Sequence, residues 1–320
     1  MKERILVTGA GGRLGTALTR ALLKKGFSLR LLVRDRAEAE RLDGKKCEVI
    51  QADLAKTKLP ELFEACSGCS QVIHLAALLG GAKKELTEVN YEATKRLASA
   101  AARARVKKFI FCSSTSVFGN PRGSVTEDSP KRPVNNYGRS KLLAEEAVRA
   151  SGVPWVVIRP SVIYGPSFLT GFGNVLGMVH RGVVPIIGDG SNRVALVHVD
   201  DAVDAFVLAA SKKGVVNEDF NISGPPVTQA QCINAVEKAL GAKPTRLQIP
   251  KKAAYVAAGA LKLLSIAKGS RTDWPEFMRV LGEDRVFPTK KAERLLGWRP
   301  MVSFEQAAPS LTRTLSERMR

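Results

Sequence analysis

The chain of 320 residues lacks a long apolar run, so we expect no membrane-spanning helix. A bilayer span needs roughly 18 to 20 consecutive apolar residues, whereas the nearest approach, residues 253–267, is shorter and contains Lys262. This segment predicts a packed or surface helix. The alternative is a peripheral membrane contact, because the basic pair Lys251 and Lys252 precedes it. The N-terminus, MKERILVTG, enters a strand at once and leaves no room for a signal peptide. We therefore expect a cytoplasmic protein.

Cysteine is scarce and scattered. The five cysteines include one CxxC, Cys66 to Cys69, and no second pair that would complete a metal-ligand cluster. An odd count with irregular spacing is typical of proteins in a reducing compartment. We therefore predict no metal site.

Acidic residues are too few to balance the basic ones, 30 against 50, and the net charge is +20. The excess is spread over both halves of the chain, so it does not form a basic tail. Solvated helix faces would explain this charge. The alternative is attraction of anionic small molecules, such as a phosphorylated cofactor and a diphosphate substrate. No nucleic-acid recognition motif accompanies the charge, and we predict no nucleic-acid partner.

The chain also lacks a Pro/Gly-rich linker, so nothing marks two cleanly separate domains. The first half alternates strands with helices, and its strands are continuously apolar, which requires helices on both faces of a parallel sheet. We predict an α/β fold, with a Rossmann-type doubly wound parallel sheet in residues 1–165 and a smaller C-terminal substrate-binding lobe in residues 166–320. Segments of this lobe should interleave with the core. The predicted strands are 4–8, 28–33, 47–51, 71–75, 108–112 and 155–159, and the predicted helices are 14–25, 59–65, 87–105 and 137–150.

A glycine-rich turn stands between the first predicted strand and the first predicted helix. Gly9, Gly12 and Gly15 let the backbone approach a pyrophosphate at the helix N-terminus, where free N–H groups and the helix dipole favour anions. A glycine pattern alone is weak evidence, but here a strand precedes it, a helix follows it and a second strand ends at Val33. This turn predicts a dinucleotide site that also contains Arg13 and Leu14.

The spacing GxxGxxG resembles that of the extended short-chain dehydrogenases/reductases, the NAD-dependent epimerase/dehydratase family. The resemblance covers nearly the whole chain, with Asn90 in a helix and Leu296–Gly–Trp–Arg–Pro300 near the end. It implies an enzyme that forms a homodimer. It also implies that the cofactor contacts Asp53 and Leu54 at the adenine and Leu75, Ala76 and Ala77 beneath the nicotinamide ribose.

The residue that ends the second strand indicates which dinucleotide binds. NAD-preferring relatives have an acidic residue there, but this chain has Val33, which cannot accept hydrogen bonds from the ribose hydroxyls. Arg34 and Arg36 follow, and guanidinium groups suit a 2′-phosphate, with Arg13 as a third positive group. Alternatively, Arg34 lies over the adenine and Asp35 binds the ribose. We predict NADP, with NAD as the other possibility.

A catalytic set is indicated by Tyr137 and Lys141, which are one helical turn apart and share a face. A tyrosine has an ordinary pKa of ~10, and a neighbouring ammonium together with the cofactor's positive ring would lower it. Ser114 stands in CSSTSVFG, which resembles the family's SSxxVYG with Phe118 in place of tyrosine. The resemblance implies that Ser114 binds the substrate oxygen, that Lys141 holds the nicotinamide ribose and that Pro160 lines the nicotinamide site. Arg159 could be purely structural.

Two substrate classes remain open. Arg193 resembles the residue that binds the diphosphate in sugar-nucleotide epimerases, Asn174 falls near a nucleotide-contacting position, and Arg285 could supply a second phosphate contact. These residues favour a UDP- or other NDP-sugar 4-epimerase, dehydratase or reductase. An ion pair of Arg193 with Asp200 or Asp201 is the structural alternative, and His198 is expected to be structural. The rival is a ketone or alcohol oxidoreductase resembling 3β-hydroxysteroid dehydrogenase or dihydroflavonol reductase, supported by Arg34 and by the apolar segment 253–267. A degenerate binding protein is disfavoured by the intact Ser–Tyr–Lys set.

Overall fold

The computed structural model describes residues 3–40, 42, 47–121, 123–168, 177–179, 181–243, 245–267 and 282–319. Its strands are β1 (Arg4–Thr8), β2 (Ser28–Val33), β3 (Glu48–Gln51), β4 (Gln71–His74), β5 (Lys108–Cys112), β6 (Gly123–Ser124), β7 (Trp155–Pro160), β8 (Val162–Tyr164), β9 (Val183–Ile187), β10 (Arg193–Val194), β11 (Leu196–His198), β12 (Glu218–Ile222), β13 (Val227–Thr228), β14 (Thr245–Ile249) and β15 (Arg285–Val286). Its helices are α1 (Arg13–Lys24), α2 (Arg36–Glu40), α3 (Leu59–Cys66), α4 (Lys83–Leu86), α5 (Ala93–Arg103), α6 (Asn136–Ala150), α7 (Val199–Ser211), α8 (Gln229–Leu240), α9 (Lys251–Ala267), α10 (Lys290–Leu296) and α11 (Phe304–Met319).

Seven strands form one parallel sheet in the order β12-β7-β5-β4-β1-β2-β3. Chain order therefore reverses between β1 and β4, which lie side by side. In an open α/β sheet the ligand crevice forms at such a reversal, beyond the carboxyl ends of the strands. The predicted doubly wound Rossmann-type sheet is confirmed.

Successive residues of a strand face opposite sides of the sheet, and both sides here are apolar. Ile5 and Val7 of β1 belong to one buried cluster with helices α1 and α7, whereas Leu6 belongs to a second cluster with helices α3, α5 and α6. Because both faces of each strand are buried, the strand sequences are continuously apolar.

The helix predicted over residues 87–105 has a different form. It begins at α4, passes through a wide π-helical turn at Thr87–Glu92 and continues as α5. The π turn contains Asn90, which is fully buried. The side chain of Asn90 accepts a hydrogen bond from Leu78 N at 2.8 Å and donates to Leu78 O at 2.9 Å. The turn thus ties this helix to the loop that follows β4.

The second half of the chain contributes to the sheet as well as forming smaller units. Strand β12 pairs with β7 and completes the central sheet, and β15 pairs with β6 from the first half. A separate apolar cluster joins β9, α8 and α11. The division into residues 1–165 and 166–320 stays a prediction. No helix within the described ranges combines the length and apolarity needed to cross a bilayer.

Candidate active site

The glycine turn connects β1 to α1, and two of its glycines are required by close backbone approaches. Gly9 has a φ of +71°, and a Cβ added to it would lie 2.7 Å from Ala76 N in the loop after β4. A Cβ on Gly15 would lie 2.1 Å from Gly9 O. Any side chain at either position would therefore force the turn away from its neighbours.

The helix that follows this turn presents an uncapped N-terminus. Its N-cap is Gly12, which provides no side-chain cap, and its first turn contains no acidic residue. Arg13, Leu14 and Gly15 form that first turn. An uncapped N-terminus with free N–H groups suits a phosphate anion, so the chain's own geometry fits a dinucleotide at this place.

A cleft of about 570 Å³ opens beside the turn. Among its lining residues are Gly9, Gly12, Arg34, Asp53, Leu54, Leu75, Ala76 and Ala77, which were all predicted to bind the cofactor, and Glu38, Lys84 and Glu88, which were not. The Asp53 carboxylate accepts a hydrogen bond from Ala55 N and thereby shapes the turn after β3. Arg13 lies apart, with its guanidinium carbon 5.9 Å from the centroid of the Phe168 ring. The cleft brings together most of the predicted cofactor residues.

Ser114 and Tyr137 form the centre of the predicted catalytic set, and the Ser114 side chain partly offsets the rise that burial causes in the pKa of Tyr137. Ser114 lies just past β5 and caps a short 3-10 helix, where its side chain accepts a hydrogen bond from Ser116 N at 3.1 Å. Tyr137 lies in the first turn of α6, whose start is fixed by Asn135 accepting from Gly138 N at 2.7 Å. The two hydroxyls therefore meet because a strand end and a capped helix start converge.

Lys141 lies one turn further along α6 and is buried. Its Nζ is 4.1 Å from the centroid of the Phe111 ring, so the ammonium contacts an aromatic face. Burial lowers the pKa of Lys141 to about 8, against smaller opposing effects of Cys112 and Glu145. Cys112, at the end of β5, is thus a neighbour of the catalytic set that sequence reasoning missed.

The pKa of Tyr137 differs from the sequence expectation. A neighbouring ammonium together with the cofactor's positive ring was expected to lower it; in the chain's own residues, burial and the nearby Cys112 raise the pKa of Tyr137 well above its ordinary value, and the Ser114 side chain only partly offsets this. Desolvation disfavours the phenolate more than the Ser114 side chain favours it. In the site formed by the chain's own residues, Tyr137 is therefore a protonated phenol at neutral pH.

A buried network of charges supports the catalytic helix. Glu145, four residues beyond Lys141 on α6, is fully buried and accepts hydrogen bonds from Arg159 Nε and Nη2, both at 2.8 Å. The same carboxylate accepts from Ser113 Oγ, next to Ser114. Arg159 also donates to Asp219 Oδ2 at 2.7 Å, which joins β7 to β12. The (i, i+4) spacing of Glu145 and Arg149 is a sequence signal for this network, and Arg149 Nη1 donates to Glu145 Oε2 at 3.1 Å.

Arg193, predicted to bind the substrate diphosphate, is held by Asp284. Its Nε donates to Asp284 Oδ1 at 2.8 Å and its Nη2 to Asp284 Oδ2 at 2.6 Å. The side chain is nevertheless 45% exposed. The expected structural partners, Asp200 and Asp201, were wrong, because Asp201 binds the backbone of Met301 and Val302 instead.

The remaining candidates have varied surroundings. Arg285 is buried and its Nη2 donates to Asn120 Oδ1 at 2.8 Å. His198 caps α7 by accepting from Asp200 N, which is a structural contact. Pro160 is the last residue of β7 and pairs with Ile222. Asn174 lies outside the described residues.

No cluster of three potential metal ligands occurs among the residues that are described.

Comparison with known proteins identifies the family of this chain. The model of the NAD dependent epimerase/dehydratase family matches residues 5–223. The chain is 33% identical to sterol demethylase protein B of Methylococcus capsulatus, over 77% of each chain. It is 31% identical to the UDP-glucose 4-epimerase of Vibrio cholerae, over 78% of this chain and 80% of that protein.

A solved structure shows the same fold at lower identity. UDP-glucuronic acid 4-epimerase from Bacillus cereus in complex with NAD superposes with a TM-score of 0.79 and 23% identity, over 99% of this chain and 100% of that one. Fold and comparisons together define an extended short-chain dehydrogenase/reductase. The chain belongs to the NAD-dependent epimerase/dehydratase family and is an NAD-dependent enzyme.

Proposed function

We propose that this enzyme transfers hydride at a secondary alcohol or ketone of an apolar substrate, with Ser114, Tyr137 and Lys141 as its catalytic set. The observation that carries the proposal is that Ser114, just past β5, and Tyr137, in the first turn of α6, converge with the buried Lys141 one helical turn further on. When bound, a nicotinamide dinucleotide supplies the hydride chemistry that no amino-acid side chain can provide. The glycine turn and the cleft beside it would hold that group.

The roles of the three side chains follow from their protonation. Tyr137 is a protonated phenol at neutral pH and can donate its proton to a substrate carbonyl oxygen as reduction proceeds. Ser114 can donate a second hydrogen bond to the same oxygen. Lys141, with a pKa of about 8, can carry a proton beside this pair and would hold the nicotinamide ribose. A phenol that is already protonated suits reduction of a ketone.

An apolar substrate is supported by the surroundings of Arg193. The bidentate pair with Asp284 neutralises the cation that a diphosphate would need. A diphosphate would have to displace a carboxylate that already satisfies both guanidinium positions. The relative that is 33% identical is a sterol demethylase protein by name, which agrees with an apolar substrate for this chain.

A nucleotide sugar is the second candidate, and the sequence favoured it. The UDP-glucose 4-epimerase relative supports it, and Arg193 remains 45% exposed, within reach of solvent anions. A 4-epimerase, dehydratase or reductase of an NDP-sugar would use the same Ser–Tyr–Lys set. The two candidates differ in whether Arg193 binds phosphate.

Calorimetry with UDP separates these candidates, using wild type, Arg193→Ala and Asp284→Ala. The apolar-substrate proposal predicts that UDP at millimolar concentration binds none of the three proteins. The nucleotide-sugar candidate predicts binding by wild type, and a loss of about 10- to 150-fold in Arg193→Ala, because a charge-assisted hydrogen bond is removed. Asp284→Ala is the matched variant, since it frees Arg193 and should then tighten UDP binding. UDP binding to wild type that follows this pattern would overturn the apolar-substrate proposal.

The cofactor form belongs to the proposal as well. Arg34 is exposed and forms no hydrogen bond or ion pair through its guanidinium with any described residue, so it is available to the 2′-phosphate of the predicted NADP and equally to the phosphates of NAD. Asp35, the alternative ribose partner, instead accepts a hydrogen bond from Ala37 N. A different carboxylate, that of Glu38, lies in the cleft and favours NAD.

A further inference from the structure

Gly11 is the glycine of the turn that the GxxGxxG spacing does not require, and Glu38 explains it. A Cβ added to Gly11 would lie 2.1 Å from Glu38 Oε2 and 2.6 Å from Glu38 Cβ. The side chain of Glu38, from α2, therefore lies directly over the backbone of the turn. It can do so only because residue 11 has no side chain.

The carboxylate of Glu38 has no partner within the described part of the chain. No hydrogen bond or ion pair joins it to another described residue, although it is only partly exposed and lines the cofactor cleft with Val33 and Arg34. The carboxylate is therefore open to hydrogen-bond donors of a ligand that binds in the cleft.

The end of strand β2 lacks the acidic residue that binds the ribose hydroxyls in NAD-preferring relatives. The side chain of Val33, the last residue of β2, cannot accept a hydrogen bond, and Asp35, whose Oδ1 accepts from Ala37 N, is exposed and does not line the cleft. Glu38 thus supplies the acceptor from α2 that the end of β2 does not. A carboxylate there accepts from ribose hydroxyls and repels a 2′-phosphate by like charge.

We propose that Glu38, seated over Gly11, is the residue that selects NAD over NADP in this enzyme. The proposal rests on the proposed dinucleotide site in this cleft. It assigns Arg34 to the mouth of the cleft, where its charge attracts either dinucleotide.

Binding calorimetry with NAD and with NADP on wild type and Glu38→Gln tests this selection. Wild type should bind NAD more tightly. In Glu38→Gln the ratio of the two dissociation constants should move toward NADP by about 10- to 100-fold, because a hydrogen bond to a charged acceptor is weakened and a repulsion is removed. Glu305→Gln, which removes an exposed negative charge on α11, should leave the ratio unchanged.

Gly11→Ala provides a second, independent perturbation. Its methyl group would push Glu38 aside, so it should shift the ratio in the same direction as Glu38→Gln, and it should add little in a Glu38→Ala background. The proposal is overturned if both dinucleotides bind but Glu38→Gln changes their ratio by less than about twofold, or if Glu305→Gln changes it equally. Failure of wild type to bind either dinucleotide would instead overturn the cofactor site itself, and the selection with it.

Discussion

At the scale of single residues, the site depends on a phenol that burial keeps protonated. Tyr137 is buried beside Ser114, and the ammonium of Lys141, one turn further along α6, is itself buried against Phe111. Burial disfavours release of the Tyr137 proton, whereas it lowers the pKa of Lys141 to about 8 and so eases release of the ammonium proton. The resting site is therefore prepared to donate a proton rather than to accept one.

Tyr137→Phe should retain dinucleotide binding and lose the chemical step. Only the titrating oxygen is removed, and the expected loss in turnover is about 10² to 10⁴, which is typical of general acid–base groups. Single-turnover kinetics with reduced dinucleotide measure the step directly. Tyr91→Phe, in the π turn, is the matched control and should keep wild-type turnover. Near-normal turnover in Tyr137→Phe would refute the catalytic assignment of Tyr137.

At the scale of elements, α6, β7 and β12 are joined by the charges of Glu145, Arg159 and Asp219. Burial by itself would raise the pKa of Glu145, but the hydrogen bonds and charge of Arg159 outweigh it, so the pKa of Glu145 is lowered. The pKa of Asp219 is lowered in the same way, since Arg159 and Lys291 outweigh burial. Carboxylates with lowered pKa stabilise the fold above their unfolded pKa of ~4, and this contribution is lost as pH falls through the lower folded values.

Glu145→Gln should therefore destabilise the enzyme strongly at neutral pH. It leaves Arg159 as a buried, incompletely paired cation, and breaking such a pair costs about 3–5 kcal/mol in the free energy of unfolding. Urea unfolding should be measured from neutral to acid pH. The free energy of unfolding of wild type should fall below about pH 4, and that of the variant should change less over the same range. Glu305→Gln, on an exposed ion pair, should change little. An unchanged unfolding midpoint in Glu145→Gln would contradict the structural role of the network.

Elements with a strong local signal were predicted from the sequence. Strands β1, β2 and β5 have the predicted bounds, because continuous apolar runs end at glycines or polar residues, and the ends of helices α1, α3 and α6 differ from the predicted ones by at most one residue. The π turn at Thr87–Glu92 could not be predicted, since it depends on Asn90 reaching Leu78 in another loop. The partner of Arg193 was missed for the same reason, because Asp284 is distant in sequence. The position of Glu38 over Gly11 could not be predicted either, because only the folded turn brings these two residues together.

At the scale of the whole molecule, the parallel sheet places β1 and β4 side by side, and the cleft opens where their carboxyl ends meet. The net charge of +20 attracts anions to the chain as a whole, whereas the charged residues that line the cleft are four acidic (Glu38, Asp53, Glu85 and Glu88) and two basic (Arg34 and Lys84). Homodimer formation and a cytoplasmic location stay predictions. The substrate class decides whether the enzyme performs net redox chemistry or returns the hydride to the same molecule.

Transfer of deuterium from labelled reduced dinucleotide tests the central claim most directly. The enzyme is incubated with dinucleotide that carries deuterium at the reactive carbon of the nicotinamide, once with an apolar ketone such as a ketosteroid and once with UDP-glucose. Net reduction requires the label to appear on the new carbinol carbon of the apolar product, with one dinucleotide oxidised for each alcohol formed. We predict this result, and we predict that Tyr137→Phe abolishes it. Conversion of UDP-glucose to its 4-epimer, with no label reaching the ketone, would contradict the account.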